Sequence, residues 1–171
     1  MPAVADPRRQ LLDLYDRAVP QVYGYLLARC GRAAVAEDLT AETLLAAAAA
    51  VGRVDPPLIS VAWLIGVARH KLVDHWRRQG REERQLRSVE EDTVVQEDSW
   101  DVRIDALRAR QILDALGPHH RSALMLRYFD DLPVPEVAVL LGRTVHATEA
   151  LLVRARLAFR RAYEAGGSDD G

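Results

Sequence analysis

The chain has 171 residues, which suits one ordinary domain or two small ones and excludes a large multidomain enzyme. Hydrophobic residues make up 49% and charged residues 28%, so the chain is too apolar to be disordered throughout. The formal net charge of -2 argues against a uniformly basic coat for nucleic acid, although the charges are strongly segregated along the sequence.

Neither export nor membrane insertion is expected. The single cysteine, Cys30, cannot form an internal disulfide, and no charged-then-apolar leader opens the sequence. Residues 43–52 and 56–68 carry no charge, but both runs are shorter than a membrane span. We therefore expect a cytoplasmic protein.

Apolar residues at spacings of three and four predict helices in the N-terminal half. The first starts near Leu11, is broken or bent near Pro20 and ends near Gly31. The second, alanine-rich helix covers residues 33–51 and has an acidic rim, while the third covers residues 61–78 with apolar and basic sides. No strand pattern rivals these three helices.

Charge segregation indicates two domains. Residues 69–87 hold seven Lys or Arg against three acids, residues 88–101 hold six acids and no Lys or Arg, and residues 143–163 hold five arginines against one acid. We predict an all-α fold of two small helical domains joined by a flexible linker. The predicted parts are a helical domain (7–87), an acidic linker (88–101), a helix-turn-helix domain (102–164) and a disordered tail (165–171).

The C-terminal domain has a helix-turn-helix pattern. Helices are predicted at residues 104–116, 122–128 and 135–141, after which Gly142 supplies a positive-φ turn and Thr144 caps the last helix. The inward face of that helix is predicted from Thr148, Leu152, Ala155 and Phe159. The opposite face then carries His146, Ala147, Ala150, Leu151 and Arg154.

A helix presented in this way can enter the DNA major groove. Short residues at its start, His146, Ala147 and Thr148, are candidates for base contacts. Arg143, Arg154 and Arg156 suit phosphate oxygens, because a guanidinium forms forked hydrogen bonds with them. The alternative is that these arginines form an ordinary solvated face.

The third helix interleaves aromatic and cationic residues, a pattern suited to stacking on unpaired bases while the cations follow the backbone. Single-stranded DNA is therefore a candidate ligand. Trp63 and Trp76 also have spacings that suit a buried stripe, so core packing is the competing interpretation of both.

Two sets of segments carry a family resemblance. Residues 36–45 (AEDLTAETLL) and 62–78 (AWLIGVARHKLVDHWRR) resemble region 2 of the extracytoplasmic-function (ECF) sigma factors of bacterial RNA polymerase. Residues 113–118, 123–128, 136–142 and 154–156 resemble region 4 of the same family. The two matches stand in the family's order and cover nearly the whole chain.

The resemblance implies a factor that binds core RNA polymerase, melts the minus-ten promoter element and reads the minus-thirty-five element, under control of an anti-sigma factor. It implies polymerase contacts by Glu37, Asp38, Glu42 and Thr43. It implies minus-ten contacts by Arg53, Ser60, Trp63, Arg69, His70, Lys71, Asp74, His75, Arg77 and Arg78. The minus-thirty-five contacts would be Arg143, Thr144, His146, Ala147, Thr148, Leu151, Arg154 and Arg156.

Some positions depart from the family pattern. Leu44, Ala48 and Val54 replace common aromatics, so the core near the second helix is expected to be smaller than usual. On the last helix, positions that are often basic or hydroxylated are occupied by Glu149, Ala150 and Leu151, which lowers the expected affinity for phosphate.

No motif for catalysis, cofactor binding or a metal site is found, so neither an enzyme nor a cofactor is expected. Two other functions remain open. One is a dimeric helix-turn-helix regulator that binds duplex operators without polymerase. The other is a helical interaction module that has lost DNA binding, for which Glu149 and Leu151 on the reading face are the best evidence.

Overall fold

The computed structural model describes residues 6–86 and 106–166, and these residues form helices and turns with no strand. The all-α prediction is confirmed. Contacts within the chain divide it into two units, the first ending at Asp74 and the second beginning at His75. The predicted acidic linker lies outside the described residues, so the proposed domain boundaries stay a prediction.

The first unit contains α1 (Pro7–Cys30), α2 (Ala33–Val51) and the first part of α3 (Val61–Leu86). Pro7 stands in the first turn of α1, after the N-cap Asp6, and Gly31 ends the helix with a φ of 69°. One helix runs through Pro20, so the expected break is absent. The buried stripe that α1 presents every four residues is continuous across Pro20 and holds Leu14, Ala18, Val22, Leu26 and Cys30.

Helix α2 packs against α1 through small side chains. Its fully buried alanines include Ala36 and Ala47, and its two buried threonines donate their hydroxyls to backbone carbonyls one turn earlier. A buried hydroxyl needs such a partner, since leaving it unsatisfied costs roughly 1–3 kcal/mol. Of the positions from which a smaller core was expected, Leu44 is only partly buried and Ala48 and Val54 are exposed, so these three residues do not line the core.

Ser60 marks the start of α3, because its side-chain oxygen accepts a hydrogen bond from the backbone N–H of Trp63 at 3.1 Å. The helix continues to Leu86, eight residues beyond its predicted end. Its apolar side is buried at Leu64, Ala68, Leu72, Val73 and Trp76. Core packing is thus the observed role of Trp76, whereas Trp63 is half-buried.

The second unit is built around its last helix. It contains the end of α3, then α4 (Ala106–Ala115), α5 (Pro118–Leu124), a π-helical turn (Met125–Phe129), α6 (Val134–Leu141) and α7 (Val145–Ala165). Helix α7 packs against α4, α5 and α6. The predicted helix at residues 122–128 is therefore two elements, because the helix that begins at Pro118 changes to a π-helical turn after Leu124.

Arg121 ties α4 to α5. Its guanidinium donates to the carbonyls of Leu113, Asp114 and Leu116 at 2.9, 2.6 and 3.2 Å. These acceptors lie at the C-terminal end of α4, where backbone carbonyls lack helical partners. One side chain thereby fixes the angle at which α5 follows α4.

The turn before α6 places Asp131 at a φ of 51°, in the left-handed region that glycine adopts without strain. We predict that Asp131→Gly raises the free energy of unfolding by about 0.5–1 kcal/mol. The lost pair with Arg127, at 3.8 Å on a 96% exposed carboxylate, offsets little of this gain. Urea unfolding of the full chain followed by circular dichroism measures the change.

Asp130 supplies the matched control, because its φ of -91° and ψ of -5° are ordinary for any residue. Asp130→Gly should lower the free energy of unfolding, since glycine there relieves no backbone strain and adds freedom to the unfolded chain. Equal effects of the two glycine substitutions would show that backbone strain at residue 131 does not limit stability.

Candidate nucleic-acid interface

Helices α6 and α7 and the turn between them form a helix-turn-helix. Gly142 ends α6 with a φ of 63°, as predicted, and its N–H bonds back to the carbonyl of Val139 at 3.1 Å. Thr144 is the N-cap of α7, and its hydroxyl accepts from the N–H of Ala147 at 3.1 Å. Because both ends of the turn are fixed, the first turn of α7 is held in one orientation.

The exposed residues at the start of α7 form the surface that could approach DNA. Thr144, His146 and Glu149 are exposed, and Ala147 and Ala150 are partly exposed. Small residues at these two positions permit close approach to a groove wall, and the His146 ring is long enough to reach base edges. Glu149 carries a negative charge on this surface, so it disfavours the binding of a phosphate group beside it.

Two of the predicted base-contact residues are buried and must be removed from that set. Thr148 has no exposed surface and donates its hydroxyl to the carbonyl of Thr144 at 2.9 Å. Leu151 is 3% exposed and packs in the interior beside Leu152. The inward face of α7 is wide enough to include both 151 and 152, and a four-residue spacing alone did not reveal this.

The arginines around α7 differ in their surroundings. Arg156 donates to the hydroxyl of Tyr128 at 3.1 Å, so it lies beside an exposed aromatic residue. Burial lowers the pKa of the Arg143 guanidinium, and the like charges of Arg84, Arg154 and Arg77 lower it further. Positive charge is therefore concentrated at the turn before α7, where a phosphate contact was predicted.

One polar residue of α3 in the first unit contacts α2. Lys71 pairs with Glu42 of α2 at 3.9 Å, with both side chains partly exposed. His70 is exposed, and its Nδ1 lies 2.9 Å from the carbonyl of Gly66. Asp74 is also exposed, and Arg69 is half-buried. The lysine assigned to DNA and a carboxylate assigned to polymerase are thus neighbours.

The remaining predicted residues of this group fall at the two ends of α3. Arg53 is exposed in the segment that precedes the helix, and Ser60 has its oxygen engaged as the helix cap. His75, Arg77 and Arg78 lie on the part of α3 that belongs to the second unit. Of these three, Arg78 is exposed and the other two are partly exposed.

On α2, the predicted polymerase-contact residues divide by exposure. Glu37 and Asp38 are exposed and Glu42 is partly exposed. Thr43 has no exposed surface and donates its hydroxyl to the carbonyl of Leu39 at 2.7 Å, so it supports the α1–α2 packing and cannot contact a partner. The reason is periodicity, since position 43 follows Leu39 by one helical turn.

The sequence did not single out several exposed apolar residues near these sites. Leu58, in the segment before α3, is 80% exposed, and Phe129, the last residue of the π-helical turn, is 58% exposed. Leu58 follows two prolines and Phe129 precedes two aspartates. A large apolar residue beside such turn-forming residues indicates an exposed loop, and this signal could have identified both residues from the sequence. Arg84 was also missed, because its closeness to Arg143 exists only in three dimensions.

Within residues 6–86 and 106–166, no three His, Cys, Asp or Glu side chains are grouped to hold a metal ion. Over the same residues no helix has the length and apolar character needed to cross a bilayer.

Family models match both halves of the chain. The model for Sigma-70 region 2 matches residues 14–82, and the model for Sigma-70 region 4 matches residues 106–159. Together these matches include α2, α4, α5 and α6 entirely and most of α1, α3 and α7.

Curated relatives and a solved structure agree with these matches. The ECF RNA polymerase sigma factor BldN of Streptomyces coelicolor is 32% identical over 147 residues, which span 83% of this chain but only 56% of that protein. The RNA polymerase sigma factor CarQ of Myxococcus xanthus is 30% identical over 155 residues, spanning 89% of this chain and 84% of CarQ.

The fold also resembles that of the sigma factor RpoE in its complex with the anti-sigma factor NepR from Bartonella quintana. The TM-score is 0.54 at 21% identity, and the match covers 94% of this chain and 98% of that chain. Two family models in the family's order, together with a 30% identical relative covered over most of its length, show that the chain belongs to the ECF sigma factors of the sigma-70 family.

Proposed function

We propose that this chain binds core RNA polymerase and directs it to specific promoters, with region 2 recognising and melting the minus-ten element and region 4 reading the minus-thirty-five element. The observation that carries the proposal is the ordered pair of sigma-70 regions, 14–82 and 106–159, in one chain. The capped, exposed start of α7 supports it, because duplex reading needs a helix held with its first turn free.

Region 4 would read the duplex with the residues that remain exposed or partly exposed. His146 and Ala147 would face base edges, while Arg143, Arg154 and Arg156 would bind phosphates and set the position of the helix. Thr144 contributes by capping α7, and its backbone position at the helix start lies close to where a phosphate would be bound.

Region 2 would hold the melted strand along α3 and the segment before it. Opening a base pair costs a few kcal/mol of unpairing and unstacking, which must be offset by contacts to the extruded base. The partly exposed ring of Trp63, the exposed ring of His70 and the cations Arg53, Arg69, Lys71, Arg77 and Arg78 support this role.

The polymerase contact would be made by the exposed acidic side of α2. Glu37 and Asp38 are adjacent and exposed, and Glu42 lies one helical turn after Asp38. Thr43 takes no part, since it is buried. A partner surface rich in Lys or Arg would complement these carboxylates.

We extend the proposal to regulation, catalysis and location. Sigma factors are transcription initiation factors, and this one is proposed to act without catalysis of its own. An anti-sigma factor is proposed as its inhibitor, supported by the structural relative that was solved with one. The site of action would be the cytoplasm, where bacterial RNA polymerase works.

The deciding experiment is run-off transcription with purified full-length chain and core polymerase from the same source. We expect transcripts that start at a defined position on templates selected from the host genome by footprinting with the reconstituted complex. If the free protein binds the same duplexes, and adding it to core polymerase does not change the transcription start sites, the result would favour the dimeric regulator. Failure to bind either DNA or core would favour the interaction module.

We predict that two substitutions on α7 change duplex binding in different ways. His146→Ala should relax sequence preference at one position by roughly 1–3 kcal/mol, because it removes a base contact. Arg156→Gln should weaken binding to all sequences and reduce the slope of log K against log salt by about 0.9, because it removes one phosphate contact. Fluorescence anisotropy across a salt series measures both effects.

Arg161→Gln is the control for Arg156→Gln, because Arg161 is exposed near the end of the same helix. It should leave the salt slope unchanged. An equal reduction with both variants would mean that net charge, and not a specific contact at 156, accounts for the effect.

We predict that Asp38→Lys weakens binding to core polymerase by about tenfold, or about 1.4 kcal/mol, because it places a cation against a basic partner. Biolayer interferometry with immobilised core measures the dissociation constant. Asp16→Lys makes the same charge change at an exposed position of α1 and should leave the affinity unaltered. Equal losses in both variants would remove the acidic side of α2 from the interface.

A further inference from the structure

The end of α3 belongs to region 2 by sequence and to the second unit by structure. The region 2 family model reaches residue 82, whereas contacts within the chain place α3 from His75 onward in the second unit. The second unit also contains all of the region 4 match, residues 106–159. The sequence did not predict this division, because the charge pattern placed the domain boundary in the acidic linker.

Two close approaches, together called the α3 contact, hold the end of α3 against region 4. The guanidinium of Arg77 lies against Gly142, in the turn before α7, so closely that a Cβ at position 142 would collide with it. One turn further along α3, a Cβ at Gly80 would lie 2.5 Å from Nε2 of His119 on α5. Gly80 is buried inside a helix, where glycine is less stable than alanine. Its missing side chain lets the His119 ring reach the helix backbone.

Two polar side-chain atoms in this part of the second unit are buried without a hydrogen bond. They are Nε2 of His119 and Oε1 of Gln79, the residue before Gly80, and neither has a partner among the described residues. A buried polar atom without a partner destabilises the arrangement that buries it, since water would satisfy it. Separation of α3 from α5 would return Nε2 of His119 to water. This lowers the stability of the closed α3 contact relative to an open one.

The α3 contact brings together residues that promoter binding would separate. Arg77 is assigned to the minus-ten element, and Arg143, which follows Gly142, is assigned to the minus-thirty-five element. The two elements are named for positions about 25 base pairs apart, which is about 85 Å along B-form DNA. Because Arg77 lies against the residue next to Arg143, both arginines cannot reach their elements while the contact is closed.

We propose that the α3 contact is autoinhibitory and must open before the chain binds both promoter elements. While it is closed, it keeps Arg77 from the minus-ten element and places α3 beside the start of α7, where a phosphate would bind. The inference rests on the proposed function, because the assignments of Arg77 and Arg143 to the two elements come from it.

Gly80→Ala tests the α3 contact in the free, full-length chain. The added Cβ would meet the His119 ring, so the contact should open. The free chain should then bind a duplex of random sequence about tenfold more tightly, because a larger share of the molecules is competent to bind. Fluorescence anisotropy measures the affinity. Gly24→Ala is the matched control, since a Cβ at this position of α1 would meet nothing within 4 Å, and it should leave the affinity unchanged.

A His119→Ala background shows whether the His119 ring accounts for the effect. In this background Gly80→Ala should cause no further tightening, because the ring atoms that the new Cβ would meet are gone. Circular dichroism checks that each variant folds. Equal tightening with and without the ring would overturn the proposal, as would equal affinities of the Gly80→Ala and Gly24→Ala chains.

Energy transfer between two dyes follows the α3 contact during promoter binding. The dyes are attached through Arg81→Cys and Val139→Cys, at exposed positions one turn from Arg77 and Gly142, in a chain whose buried Cys30 is replaced by alanine. We expect efficient transfer in the free chain and a large loss of transfer when core polymerase and promoter DNA are added. Transfer that stays unchanged in the promoter complex would overturn the proposal.

The two measurements separate this inference from the proposed function. Promoter-directed transcripts together with undiminished energy transfer would refute only the inference. Tighter duplex binding by the Gly80→Ala chain needs neither polymerase nor a promoter. If it is found while no transcripts form, the inhibitory effect of the α3 contact on DNA binding is supported and the proposed function is refuted.

Discussion

The burial of one face of α7 is the constraint on which the second unit depends. Helices α4, α5 and α6 all pack on this face, and its buried residues include Thr148, Leu151 and Leu152. Once that face is covered, only the residues on the other sides of α7 can remain at the surface. The helix-turn-helix therefore offers His146 and Ala147 to a partner because of what lies on the other side of the helix.

The turn before α7 fixes the orientation of the exposed residues at the start of this helix. A left-handed Gly142, the Thr144 cap and the hydrogen bond from Thr148 back to Thr144 fix the helix start from three directions. Small changes here would rotate every exposed side chain of the first turn. The same turn carries Arg143, so the position of this charge follows from the position of the backbone.

In the first unit, too, the packing of one helix face determines which residues of the helix are exposed. Alanines and self-satisfied threonines let α2 pack on α1 with little bulk, which leaves its acidic residues on the outside. The pair between Lys71 and Glu42 then joins the acidic side of α2 to the basic side of α3. A surface pair of this kind contributes little stability, so its position between two proposed partner surfaces is its more informative property.

Most of the fold could be predicted because helical periodicity and capping are local properties. The positive φ of Gly142, the Thr144 cap, the bounds of α2 and the buried Trp76 all follow from short-range patterns. Pro20 shows the limit of such rules. A proline predicts a break, yet the continuous buried face of α1 keeps the helix intact.

The candidate site was predicted less completely. Helical spacing already indicated the buried side for Thr43 and Thr148, and only the family resemblance assigned them to partner contacts. Leu151 stands on the border of the buried face of α7, where spacing alone cannot say which side a neighbouring helix covers. The sequence by itself determined the helical class, the segregation of charge and the family. Only the tertiary structure decided which border residues are buried and that Arg84 lies near Arg143, because both depend on contacts between residues far apart in the chain.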